Sequence, residues 1–112
     1  MENLSQRSDF ETYKSLLNIV MRLTCLENNI VTFLIDRDLL NCMANILADE
    51  SYCEFYEKVA SILSNIACDS PQNQQRLLAS VAYDEIINYG QFGSLQFRWN
   101  LISMINNLIC NL

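Results

Sequence analysis

Ile62-Leu63-Ser64-Asn65-Ile66-Ala67 is echoed further along the chain by Met104-Ile105-Asn106-Asn107-Leu108-Ile109. Both stretches run apolar, apolar, polar, Asn, apolar, apolar, which suits a half-buried helix with its amide at the edge of the apolar face. Aligning the helices that carry them brings Arg22, Asn65 and Asn107 into register at nearly equal intervals. The interval falls in the period, about 40–47 residues, of helical units that stack in series.

The helices around these stretches follow from apolar spacing. Leu16, Ile19, Val20 and Leu23 fall at i, i+3, i+4 and i+7, so a long first helix is predicted over 13–26. Ser8 with Glu11 is the pattern of a capping box ahead of it. Ile30 to Ile35 predicts a short helix. Asp36-Arg37-Asp38 then forms a corner into a medium helix with Leu39, Leu40, Met43, Ile46 and Leu47, capped by Asp36 or Asp38. After a loop at 48–51, a second capping box, Ser51 with Glu54, opens a long helix carrying Phe55, Val59, Ile62, Leu63 and Ile66. Ser70-Pro71 is a boundary, because serine can cap and proline fits a first helical position that needs no N–H. A short helix runs to Ser80, another opens at Tyr83 or Asp84, and Gly90 to Gly93 permits a turn. The last helix runs from Ser94, with Leu101, Ile105, Leu108 and Leu112 on one face. The order is long; short, medium, long; short, medium, long.

Composition agrees with helix. Two glycines and one proline in 112 residues supply few of the turn residues a many-stranded fold needs. The formal charge of −6 repels a phosphate backbone, so nucleic acid is not an expected partner. No apolar run approaches the roughly 20 residues that span a bilayer, so no membrane is expected either. Five cysteines, Cys25, Cys42, Cys53, Cys68 and Cys110, follow one another at wide and uneven spacings. These match neither a CxxC metal or redox pair nor a compact disulfide framework, and the residues are expected to be buried thiols in a reducing compartment.

On the residues quoted first, the chain resembles the armadillo-repeat family, most closely its importin-alpha members, whose third helices carry Trp-x-Leu-x-Asn-Ile/Leu at this place. The resemblance implies an all-α, right-handed armadillo/HEAT-like helical solenoid of about two and a half repeats. The single domain 1–112 would divide into a partial repeat 8–27, a repeat 28–69 and a repeat 70–112. It further implies a protein-binding module that holds an extended basic peptide, such as a nuclear localisation signal, in a concave groove in the cytoplasm or nucleus. Asn65 and Asn107 match the family's peptide-clamping positions. Its tryptophan positions hold Ser61 and Ser103, and Asn18 and Arg22 occupy the corresponding places in the first repeat. The family's glycine between first and second helices is replaced by acidic residues around Asp38 and Asp84.

Helical periodicity puts Lys14, Asn18 and Arg22; Glu57, Ser61 and Asn65; and Trp99, Ser103 and Asn107 on three parallel stripes. The candidate peptide-binding residues are therefore Asn65, Asn107, Ser61, Ser103, Trp99 and Glu57. An Asn amide offers donor and acceptor to a passing peptide group, but Asn65 and Asn107 could equally bond carbonyls of a neighbouring repeat or face water. Trp99 could stack on a basic stem or pack on the preceding repeat. Glu54, Glu57, Asp69, Asp84 and Glu85 form either an acidic rim that steers a basic partner or a solvated face.

No enzyme, metal site or cofactor is expected. There is no histidine, so serine and cysteine lack their usual activating base. The pairs Asp49-Glu50 and Asp84-Glu85 are adjacent in sequence and would diverge on a helix. The apolar ending Leu108, Ile109, Cys110, Leu112 leads to the expectation of self-association through the last helix, and with it an alternative role as a structural or docking module.

Overall fold

The computed structural model describes residues 4–89 and 94–110, without the side chains of 4–8 and 28. Its elements are α1 (Leu4–Leu23), α2 (Asn28–Asp36), α3 (Leu39–Leu47), a 3-10 helix (Glu50–Phe55), α4 (Tyr56–Ala67), α5 (Pro71–Leu78), α6 (Val81–Tyr89) and α7 (Leu95–Cys110). The fold is all-α, with no strand among the described residues. The long helices α1, α4 and α7 lie side by side with α4 in the middle, and α3 packs on α6 behind them. No helix among the described residues is long and apolar enough to cross a membrane.

The core runs through the middle of this layer. Val59, Ile62, Leu63 and Ile66 of α4 are wholly buried, as are Leu47 of α3, Ile86 of α6 and Met104 of α7. Phe55 enters the same core at the head of α4, stacked on Phe10 with ring centroids 5.5 Å apart. Among the described residues the buried polar side chains Thr24, Asn73 and Gln74 are all satisfied. Thr24 donates to the Met21 carbonyl at 2.8 Å. The Gln74 amide donates to the Ala67 carbonyl at 2.7 Å, covering an end of α4 that would otherwise be an orphan acceptor. The Asn73 amide donates to Asp69 at 2.5 Å and to Thr32 at 3.0 Å. It thereby ties α5 to α2, a link that Arg76 and Asp36 repeat at the surface with a 2.7 Å ion pair.

Several helix starts differ from the sequence expectation. α1 begins at Leu4, ahead of Ser8, because nothing in 4–8 interrupts a helix. Ser8 and Glu11 thus sit inside the helix and not at its start. At the head of α4 the box of Ser51 and Glu54 gives way to Asp49, whose carboxylate accepts from the Ser51 N–H at 3.0 Å and its hydroxyl at 2.7 Å. That pair of bonds holds the Asp49 carboxyl below its ordinary pKa and starts the 3-10 helix, so α4 begins only at Tyr56. α6 starts at Val81, with the Ser80 hydroxyl accepting from the Tyr83 N–H at 3.2 Å. Ser70 caps α5 as expected, accepting from Asn73 N–H at 3.3 Å with Pro71 at the first turn. Ser94 does the same for α7 through Phe97 N–H at 3.1 Å. Asp38 makes the α2–α3 corner with φ 70°, a left-handed conformation that Asp tolerates better than most residues. Its carboxylate accepts from the Asn41 side chain and bonds no backbone N–H of α3. The turn expected at 90–93 and the apolar residue Leu112 lie outside the described residues.

Two expectations about burial also change. All five cysteines are exposed thiols. Cys25, Cys68 and Cys110 sit at the C-terminal ends of long helices and Cys53 lies in the 3-10 helix, while Cys42 points out of α3; none falls on a buried stripe. On α1 the buried leucine is Leu17, whereas Leu16 and Ile19 stand out in solvent. No element precedes α1 among the described residues to cover that side.

Candidate functional site

Of the side chains singled out in the sequence, Asn65, Asn107, Ser61 and Glu57 make hydrogen bonds along the seams between α1, α4 and α7. The Asn65 amide donates toward the Met21 carbonyl at 3.3 Å, the Thr24 hydroxyl at 3.0 Å and the Cys25 sulfur at 3.2 Å. One helix further on, the Asn107 amide donates to the Cys68 sulfur at 2.8 Å. Asn100 donates to the Ser61 hydroxyl at 3.2 Å, and Ser61 to the Glu57 carbonyl at 3.1 Å. Lys58 of α4 donates to Asn18 of α1, and Ser94 at the head of α7 donates to the Glu57 carboxylate. The donors of Asn65 and Asn107 are thus engaged between neighbouring helices, on carbonyl, hydroxyl and sulfur acceptors. Ser103 is half-buried beside them, and Trp99 is 65% exposed.

This ladder includes a partner that the spacing of the cysteines conceals. Cys25, Cys68 and Cys110 repeat at the same interval as Arg22, Asn65 and Asn107, each three places after its counterpart. Consecutive cysteine spacings hide this, because Cys42 and Cys53 intervene. Desolvation, with a smaller push from Cys25, raises the Cys68 thiol above its ordinary pKa, which keeps it protonated and weakly nucleophilic at neutral pH. Among the described residues no group of three or more His, Cys, Asp or Glu side chains could hold a metal ion.

At the N-terminal end of the α4–α7 seam lies an open cavity of about 480 Å³. Glu54 and Glu57 supply carboxylates to its lining, and Tyr56, Tyr89 and Phe97 supply aromatic surface. Tyr56 and Tyr89 hold each other with ring centroids 5.3 Å apart at 41°. No protein-family model, curated protein or solved structure matches the chain. Carboxylates beside aromatic faces suit the head and stem of a lysine or arginine, which carries both charge and apolar length. Glu57 was legible in the sequence. The aromatic wall was not, because Tyr89 and Phe97 reach the cavity only once α6 has packed on α3 and α7 on α4.

Tyr56 anchors this wall. Its hydroxyl lies 3.0 Å from both the Leu47 and Asp49 carbonyls. Burial, with further pushes from Tyr89 and the acidic neighbours, moves its pKa up to about 12. A phenol near 10 when unfolded and near 12 when folded contributes stability that is complete below about pH 10. That contribution is lost as pH rises toward 12. Urea unfolding followed from pH 9 to 12 is expected to show a fall in stability that Tyr56→Phe removes. An equal fall in Tyr56→Phe would assign the effect to other groups.

Proposed function

We propose that the chain is a protein-binding module of armadillo-like, right-handed helical repeats, about two and a half in number, that holds an extended basic segment of another protein across α4 and α7. The observation that carries this reading is the acidic, aromatic cavity of Glu54, Glu57, Tyr56 and Tyr89 at the end of the Glu57–Ser61–Asn65 stripe, with exposed Trp99 at the matching position of α7. The net charge of −6 attracts a basic partner over several ångströms before contact. Side-by-side packing of α1, α4 and α7 with inter-helix bonds from Asn65 and Asn107 supports the repeat architecture. It also alters the resemblance-based picture, since these amides set the spacing of the floor while carboxylates and rings do the gripping. An importin-alpha-like role in carrying basic localisation signals is the sharpest form of the proposal and places the protein in the cytoplasm or nucleus.

Titration with a lysine- and arginine-rich peptide, followed by Trp99 emission at low and physiological salt, tests it. Binding is expected to weaken with salt. Glu57→Gln should weaken it about 3- to 10-fold, the range for losing one partly exposed charge-assisted contact. No emission change at low salt, or equal binding by Glu57→Gln, would remove the reading. An alternative, assembly through the outer helix faces, is favoured by a different observation.

A further inference from the structure

The outermost helices expose the residues that the same register buries inside the layer. Setting Arg22 of α1 over Asn65 of α4, and Asn65 over Asn107 of α7, places Leu16 and Ile19 over Val59 and Ile62, and these over Leu101 and Met104. Val59, Ile62 and Met104 are wholly buried, yet Leu16 is 53% and Ile19 54% exposed. The face of Ile62 is the one turned to the preceding helix. It lies one turn from Lys58 and Asn65, and both of these bond α1.

The opposite face behaves in the complementary way. Leu17 on α1 and Thr24 just after it match Ala60 and Ala67 on α4, and all four are buried. Their counterparts on α7 are Ile102 and Ile109, which are 59% and 60% exposed. With Leu95 and Trp99 they form a stripe at i, i+4, i+7 and i+14 along a helix that has nothing packed on its outer side among the described residues.

The polar ladder ends with the same complementarity. Asn65 and Asn107 each donate to the cysteine at the end of the preceding long helix. Arg22, exposed on α1, occupies the donor position with no described helix before it, and Cys110 occupies the acceptor position at the end of α7 with none after it. An arginine keeps the donor character that this position uses. One edge of the described layer therefore carries a donor and an apolar face, and the other carries the matching acceptor and apolar face.

We propose that the outer face of α7 binds the outer face of α1 of a second copy of this chain, head to tail, continuing the packing that already joins α1 to α4 and α4 to α7. Ile102 and Ile109 of one copy meet Leu16 and Ile19 of the next, and Arg22 reaches the Cys110 end of α7. Such a contact is heterologous, so it does not stop at two copies but extends into open stacks.

Sedimentation of the full chain and two variants tests this. Ile19→Glu blocks the head face and Ile102→Glu the tail face, and both positions are exposed, so circular dichroism should show each variant folded. Leu16→Glu and Ile109→Glu are a second pair should either variant fail that check. Over a roughly hundredfold rise in concentration the wild-type average mass is expected to pass beyond that of a dimer, as mass action on an open series requires. Each variant alone should remain monomeric. Mixed in equal amounts, they should give a one-to-one dimer that grows no further, because each supplies the face the other lacks. A monomeric wild type throughout would overturn the proposal. So would a dimer of Ile19→Glu alone, which would mean symmetric pairing of α7, or of Ile102→Glu alone, which would mean symmetric pairing of α1.

Discussion

Replacing Phe55 with alanine is expected to lower stability by about 3–5 kcal/mol, the range for emptying a buried phenylalanine site. Phe55 is 1% exposed and lies at the hinge between the 3-10 helix and α4. Its ring stacks on Phe10 at 5.5 Å, Tyr52 at 6.1 Å and Tyr13 at 6.3 Å. The substitution therefore empties a site shared by α1, the 3-10 helix and α4. Domains of this size have about 5–15 kcal/mol in total, so the variant should unfold at least about 10 °C below the wild type. Phe55→Leu, which keeps most of the apolar volume, should lose clearly less. Thermal unfolding by circular dichroism checks both, and a loss below about 1 kcal/mol for the alanine would mean that the rings are not jointly packed.

Asn73→Leu is the second large expectation. The leucine keeps the branching and heavy-atom count of the asparagine, with somewhat more bulk, but leaves the Asp69 carboxylate and the Thr32 hydroxyl without the amide that lies 2.5 and 3.0 Å away. Losing the partner of a half-buried charge and of a hydroxyl costs about 2–4 kcal/mol together. Asn73→Asp should be at least as damaging at pH 7, since it places a carboxylate against Asp69. Like charges raise the folded-state pKa of such a pair, so the stability of this variant should recover as pH falls toward about 4 and decline again as it rises. Urea titrations at pH 4.5 and 7 would show this. An Asn73→Leu protein as stable as the wild type would mean that water serves Asp69 and Thr32 equally well.

The helices were legible because apolar spacing and caps are local. Ser70-Pro71 and Ser94 mark real starts, and the run from Val59 to Ile66 is buried as its period demands. Caps failed where two residues competed: Asp49, two residues before Ser51, captured both its N–H and its hydroxyl. Burial failed where it depended on neighbours. Leu16 and Ile19 have the same spacing as Val59 and Ile62, yet among the described residues α4 has a helix in front of it to hide them and α1 does not. The cysteines misled for a related reason, since a small thiol can serve as a sulfur acceptor at a helix end as readily as it fills a core. At the candidate site Glu57 and Trp99 stood out by type and stripe. The rings of Tyr56, Tyr89 and Phe97 come from three separate helices, and no spacing within one segment brings them together.

The bonds that bridge α1, α4 and α7, and the pair of Thr32 with Asn73, all join residues 37 to 44 positions apart. The loop that must close to make each of them is therefore nearly the same length wherever it lies. Since the entropy of closure grows only with the logarithm of that length, no bridge waits for the two termini to find each other. As the chain leaves the ribosome, α4 can dock once α1 has emerged, and α7 can then be templated on α4. In the finished molecule the order reverses: either edge can peel while the central helix, held on both flanks, is the last to exchange its amide protons.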